Sequence, residues 1–484
     1  MSMPRSGLLL LTLALGACSL APTYQRPETA AAPDSFRESR DWKYAQPADS
    51  APRGPWWEQF NDPVLNDLEG RVSSANQDIK AAYARLQQAR AAARSSSAAY
   101  LPTVSANASA MKERNSIHKP GFVAGANPNF NDNVLDASVS YELDVWGRVR
   151  NTVAASNAQA AASAADLGVM DLSSHAELAT DYFTLRGDDA VLSLLDATVI
   201  SYQKALTLTQ NLYQGGAGTA SDVAQAELQL QNAMTLASDT RLKRSQLEHA
   251  IAVLVGESAS TFTLAPATDF TAQPPAVDIG LPSTLLERRP DVAAAERLAA
   301  AANAEVGVAR VAFFPTFSLG AVAGFESASG SNWIEAPSRF WSVGPTAALT
   351  LFDGGRRRAL TDQAKAAYDE AAANYRQSVL VAYQEVEDSL TALRQLEQED
   401  QSEAAANVAA KKALVQANYR YKGGIASYLD VVVAQNAALQ AQQAASNIQV
   451  QRLAASVQLV KALGGGWQPA PEDAAPAATS GARR

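Results

Sequence analysis

The 484-residue chain has a single cysteine, Cys18, so no internal disulfide framework can form. Its three histidines, His118, His175 and His249, stand far apart, and no His-Glu-x-x-His or Cys/His ligand spacing occurs. Ser201-Tyr202-Gln203-Lys204 fits a Ser-x-x-Lys nucleophile pattern, but the companion Ser-Asp-Asn and Lys-Thr-Gly motifs are missing. The expectation is a protein that is not an enzyme and holds no cofactor or metal. No run of about 18 apolar residues is present, so no helix is expected to span a bilayer. Basic residues are outnumbered, 40 against 49 acidic, and the net charge of −9 argues against nucleic acid as a partner. Proline is missing from two long alanine-rich stretches, which favours long helices, since alanine is the best helix former.

Cys18 has a meaning of its own. Arg5, the apolar run Leu8 to Leu15 and the small residues Gly16-Ala17 precede it, the order of a secretory signal. A cysteine directly after the small residues is the pattern of a bacterial lipoprotein. Residues 1–17 are therefore expected to be a signal peptide, and Cys18 a lipidated first mature residue. Resemblance to bacterial lipoproteins implies, from Ser19 in the next position, sorting to the outer membrane.

The chain is written twice. Asp78 and Pro102 recur 213 positions later as Asp291 and Pro315. Gly147-Arg148, Tyr213, Gly215-Gly216 and Asp222 recur 208 positions later as Gly355-Arg356, Tyr421, Gly423-Gly424 and Asp430. One loss of five residues between Pro315 and Gly355 accounts for the change of offset. The expected organisation is an extended N-terminal segment 18–60, a first repeat 61–256, a linker 257–281, a second repeat 282–466 and a tail 467–484.

In each repeat the periodicity switches to two. Val104, Ala106, Ala108 and Ala110 alternate with polar residues, as do Ala137, Val139, Tyr141, Leu143 and Val145. In the second half Phe317, Leu319, Ala321, Ala323 and Phe325 alternate, then Trp341, Val343, Ala347, Leu349 and Leu351. Four strands are predicted, about 103–145 and 316–352, each of a length that crosses a bilayer when tilted. A soluble sheet with one buried face would alternate in the same way. The lipoprotein signal and the long polar stretch from Lys112 to Asn133 favour an outer-membrane barrel. Pro345 is expected to mark a bulge or interruption. Four strands cannot close, so a pore needs several chains, three or four by closure alone.

The stretches from Arg148 to about Tyr213 and from Arg356 to Tyr421 each read as a helix of roughly 100 Å. Val379, Tyr383, Val386, Leu390 and Leu393 follow coiled-coil spacing. Helices of about Ser221–Leu254 and Tyr428–Leu463 return from glycine turns, with Ser221 and Ser427 as expected caps. Two more are predicted over Pro63–Ala99 and Pro282–Phe313.

Leu143-Asp-Val-Trp-Gly-Arg148, Leu351-Phe-Asp-Gly-Gly-Arg-Arg357 and Tyr421-Lys-Gly-Gly-Ile-Ala-Ser-Tyr-Leu-Asp430 carry a resemblance to the TolC-like outer-membrane factors. The similarity is strongest to the OprM/NodT-type lipoproteins of efflux systems and runs from about Trp56 to Gly466. It implies an α+β membrane protein: a homotrimer whose twelve strands, four per chain, close one barrel that a helical coiled-coil barrel continues. It implies an equatorial domain too, to which 256–280 and the segments near both termini are assigned. The function it implies is a passive, periplasm-spanning conduit for drugs or other small molecules in a tripartite system of the resistance-nodulation-division type. The partners would be a periplasmic adaptor (membrane fusion) protein, an inner-membrane pump and outer-membrane lipid.

The hairpin tips, with Gly215, Gly216, Gly218 and Thr219 in the first and Gly423, Gly424 and Ser427 in the second, would touch the adaptor. Leu429 and Asp430 match the family's periplasmic gate, whereas Val433 stands where relatives often carry a second aspartate. Both gate candidates also have an ordinary reading, as a packing residue and a helix-start carboxylate. Two other functions compete: a type I protein-secretion exit channel of the same fold, and a coiled-coil scaffold without a lumen.

Overall fold

The computed structural model describes residues 21–29, 35–39, 55–123, 125–267, 270, 272–275 and 288–465. Cys18, the expected signal segment 1–17 and the tail 467–484 lie outside them. The described residues form four strands: β1 (Thr103–Arg114), β2 (Asn129–Leu143), β3 (Thr316–Ser327) and β4 (Arg339–Ala348). Among the described residues seven α-helices accompany them: α1 (Pro63–Ala75), α2 (Gln77–Ser97), α3 (Arg148–Gln214), α4 (Ala220–Leu254), α5 (Pro290–Val311), α6 (Arg356–Lys422) and α7 (Tyr428–Ala462). The helices α3 and α6 both have 67 residues, and α4 and α7 both have 35. All four boundaries of the first pair recur 208 positions later in the second.

The chain divides into two units. The first comprises 1–28, 86–163 and 295–375, and the second 29–85, 164–294 and 376–484. In the first unit the strands form one antiparallel sheet in the order β1-β2-β3-β4. Pairing is continuous from Thr103↔Ser140 to Arg114↔Asn129, and likewise between β2 and β3 and between β3 and β4. Pro345 pairs with Leu319 in an unbroken register, without the expected bulge. It sits on an edge strand, the place in a sheet where proline is tolerated. The sheet is longer at its turns than expected: β1 continues to Arg114 and β2 starts at Asn129, so the polar loop shrinks to 115–128. It is shorter at the far end of β4, where Leu349 and Leu351 fall beyond the strand.

Two carboxylates start the long helices. Asp144 accepts the Val149 and Arg150 N–H groups, both at 2.9 Å. Asp353 accepts the Arg357 N–H at 3.2 Å and its guanidinium at 2.7 Å. Negative charge there satisfies first-turn donors and suits the helix dipole. Trp146 joins β2 to β3 by donating to the Pro315 carbonyl at 2.8 Å and packing 5.0 Å from Phe314.

In the second unit Asp62 caps α1 by accepting the Val64 and Leu65 N–H groups. The single helix expected over 63–99 breaks at Asn76. This buried side chain accepts the Asp78 and Ile79 N–H groups, starting α2, and donates to the Leu254 carbonyl at 2.9 Å. The core joins Trp56, Phe60, Leu65 and Leu68 to Leu178, Phe183, Ile251 and Val457. Of the expected seam on α6, Val379, Val386 and Leu390 are fully buried and Tyr383 and Leu393 half-buried. The segment after Gly256 is strapped to this core. Arg186 donates to the Ala265 carbonyl, Arg244 to that of Leu264, and both pair with buried Asp189.

Candidate functional site: the sheet faces and the hairpin tips

Directly opposed residues of an antiparallel pair project from the same side of a sheet. The register therefore sorts every strand residue between two faces. Val104, Val139, Ala321 and Val343 are opposed in one row, and Ala106, Ala137, Ala323 and Trp341 in the next. Leu135, Tyr141, Leu143, Phe317, Leu319 and Phe325 lie on that same face. The opposite face carries Ser105, Asn107, Ser138, Ser140, Ser318, Ser342 and Thr346. The apolar face is open: Trp341 is 75 % exposed, Val104 68 % and Val343 63 %. A contiguous apolar surface of this kind marks an interaction with lipid or protein. The edges β1 and β4 are unpaired among the described residues.

Charge is sorted by the same register. The acidic residues of the strands, Glu113, Asp132, Asp136, Glu142 and Glu326, all fall on the polar face. The basic ones, Lys112, Arg114 and Arg339, all fall on the apolar side. Glu142 is paired with Arg148 at 2.5 Å, whereas the other four acids make no ion pair among the described residues.

The hairpin tips belong to the second unit. The helix α3 ends as Ala217 donates back to the Leu212 carbonyl at 2.8 Å and Gly216 to that of Tyr213 at 3.1 Å. The helix α6 repeats the pattern with Ile425 on Arg420 and Gly424 on Tyr421. Gly216 and Gly424 have φ of 75° and 71°, the left-handed conformation such a stop requires. At the first tip the cap is Thr219 rather than Ser221. Its hydroxyl and N–H both meet the Asp222 carboxylate, at 2.9 and 3.0 Å. Ser427 caps α7 as expected, with Asp430 three residues on. Ser/Thr followed at the third position by an acid is the capping-box spacing, which would have selected Thr219 from the sequence.

The side chains around the gate candidates split by face. Tyr428, Val431 and Val432 are buried with Tyr202, Leu206, Ala226 and Leu230, so the two hairpins share one core near their tips. The Tyr421 and Tyr428 rings lie 5.4 Å apart, edge to face. Leu429 and Val433 are exposed, as is Asp430, on the side of α7 away from that core. The Asp430 carboxyl is held below the usual range by the hydrogen bonds of the Ser427 hydroxyl and N–H, with a smaller contribution from Arg420. Gly215, Gly218 and Gly423 lie in the same turns and are exposed or nearly so.

Sequence reasoning missed one buried cluster. His175 Nδ1 lies 2.5 Å from the Glu69 carboxylate and its Nε2 3.1 Å from the Ser73 hydroxyl, with Trp57 stacked on the ring. Glu69 and His175 stand 106 positions apart, so no local spacing could signal the pair. Among the described residues no group of His, Cys, Asp and Glu is placed to hold a metal. No described helix is long and apolar enough to cross a membrane.

Comparison with known proteins agrees with this geometry. The family described as outer membrane efflux protein matches the chain twice, over 70–257 and 281–465. The toluene efflux pump outer membrane protein TtgC of Pseudomonas putida is 32 % identical over 465 residues, 94 % of this chain and 93 % of that protein. Outer membrane protein OprJ of Pseudomonas aeruginosa is 32 % identical over 468 residues, 95 % of each. The solved structure of the outer-membrane channel OprN superposes with a TM-score of 0.86 at 32 % identity, over 93 % of this chain and all of that one. The chain belongs to the outer membrane efflux protein family, and is the outer-membrane channel component of an efflux system.

Proposed function

We propose that three copies of this chain assemble into one conduit. Each copy contributes a four-stranded sector of a twelve-stranded barrel, the apolar face outward in lipid and the polar face lining the lumen. The observation that carries the reading is the register: it puts most of the apolar strand residues on one open face and, among the described residues, leaves both sheet edges unpaired. Unpaired edges are not tolerated in lipid, so closure must come from further copies. The matching lengths and spacing of α3–α4 and α6–α7 support an internal duplication. Cys18 carries the lipid that anchors the mature N-terminus in the outer membrane.

The conduit has no energy source of its own. It receives small molecules from an inner-membrane pump of the resistance-nodulation-division type through a periplasmic adaptor, which docks on the tips at Gly215–Thr219 and Gly423–Ser427. Leu429 and Asp430 from the copies meet at the axis and hold the resting channel closed. A relative named for toluene efflux favours small apolar or amphipathic solutes over the protein-secretion alternative. The test is conductance of the purified protein in planar bilayers, with subunit number counted by native mass spectrometry. Discrete pores from a three-copy particle are expected. A monodisperse single chain without conductance overturns the reading.

A further inference from the structure

Two of the three cations of the sheet, Lys112 and Arg114, are adjacent as well as sorted, whereas Arg339 stands three strands away in the row of Ala108. The loops 115–128 and 328–338 close the two hairpins at one end of the sheet. At that end the apolar face gives way to Lys112 and Arg114, the last outward residues of β1, and to Arg339, the first of β4. Alternate residues of a strand lie about 7 Å apart on one face, so Lys112 and Arg114 form a close cationic pair. All three side chains are exposed, and none makes an ion pair among the described residues. No acid shares their face, because Glu113, Asp132 and Glu326 point to the other side. Beside the pair stands a ladder of amides: Asn129 is opposed to Arg114, Asn131 to Lys112 and Asn133 to Ala110. Trp341, next outward residue after Arg339, opens the apolar band.

We propose that this surface binds the phosphorylated sugar headgroup of a glycolipid of the lipid A class. The inference rests on the barrel reading above, which places the apolar band in lipid and this end at a headgroup layer. Lys112 and Arg114 meet phosphate oxygens by charge-assisted hydrogen bonds. The Asn129 and Asn131 amides, with donors and acceptors both, suit sugar hydroxyls. A simple anionic phospholipid would use the cations and leave the amide ladder idle, so the pairing of the two favours the glycolipid. The absence of outward carboxylates removes the repulsion that such a ligand would otherwise meet.

The experiment measures binding of bisphosphorylated lipid A, in mixed detergent micelles, to the purified full-length protein. Phosphatase-treated lipid A and phosphatidylglycerol in the same micelles are the comparison probes. The Lys112→Gln/Arg114→Gln variant is expected to lose about tenfold in lipid A affinity, on the basis of the attraction of two cations for an anionic headgroup. Glu113→Gln, between them in sequence but on the opposite face, should bind as the unaltered protein does. The unaltered protein should also prefer lipid A to both comparison probes, which tests the inference even if the double variant does not fold. Equal binding of phosphatidylglycerol, or a folded double variant with undiminished binding, overturns it. A conducting pore with either result leaves the barrel standing and removes this inference alone, whereas a protein that forms no pore removes both.

Discussion

Asp430 holds Ser427 twice, accepting its N–H at 2.9 Å and its hydroxyl at 2.8 Å. The carboxylate proposed to guard the channel is thus also the clasp that starts α7. Asp222 does the same for Thr219 at the other tip. A carboxylate in a capping box satisfies helix-start donors whether or not it faces a channel axis. The two roles are separable by substitution.

Asp430→Asn keeps an acceptor near Ser427 while removing the charge, whereas Asp430→Ala removes both. Loss of this clasp should loosen the start of α7, read as increased proteolysis of the tip. Leu429→Ala combined with Asp430→Asn should raise resting conductance in planar bilayers. If only the alanine version at 430 raises it, the residue acts through the helix start rather than as a charged barrier.

Four carboxylates without an ion pair among the described residues, Glu113, Asp132, Asp136 and Glu326, share the polar face of the sheet. Like charges lining a narrow lumen attract counter-ions. Replacing them together with Gln and Asn should lower the cation-to-anion permeability ratio, measured from the reversal potential in a salt gradient. The effect should fade at high ionic strength, where screening shortens the reach of each charge.

His175 makes stability depend on pH. Burial pulls its pKa down, but hydrogen bonds and charge from Asp171 and Glu69 outweigh it, pushing the imidazole up to about 9. Burial pushes Glu69 up to about 7 against the pull of His175. Both groups hold protons more tightly folded than unfolded. The stabilisation from His175 is complete below its unfolded value of about 6.5 and is lost as pH rises through 9. The thermal midpoint should therefore fall between pH 6.5 and 9, by an amount equivalent to on the order of 2 kcal/mol. His175→Gln should flatten that slope, as followed by circular dichroism.

Gly256 has φ of 72° and lies so close to the backbone of α1 that an added Cβ would sit 2.6 Å from the Ala75 carbonyl oxygen. Gly256→Ala combines a left-handed alanine with this clash. A loss of about 2 kcal/mol or more is expected. Chemical denaturation should show it, and hydrogen exchange should rise first around Asn76 and Leu254, which meet there.

Much of the protein was legible in one dimension. Period-two alternation located all four strands, and the scarcity of proline and glycine located α3 and α6 to within a residue, because both signals depend only on neighbours in the chain. Where local signals competed, the reading slipped. The break at Asn76 needed the Leu254 carbonyl, whereas Thr219 rather than Ser221 was there to be read in the capping-box spacing to Asp222.

The amino-acid order alone determined which residues alternate, where helices stop and that one chain holds too few strands to close, since these follow from backbone periodicity and chain length. Only the tertiary structure decided that the four alternations fall in register, with most apolar residues and the cations on one face and the acids on the other. It also brought Glu69 to His175 and Tyr428 to Tyr202. Such pairings join residues scores of positions apart, and they arise from burial and strand pairing that no local pattern encodes.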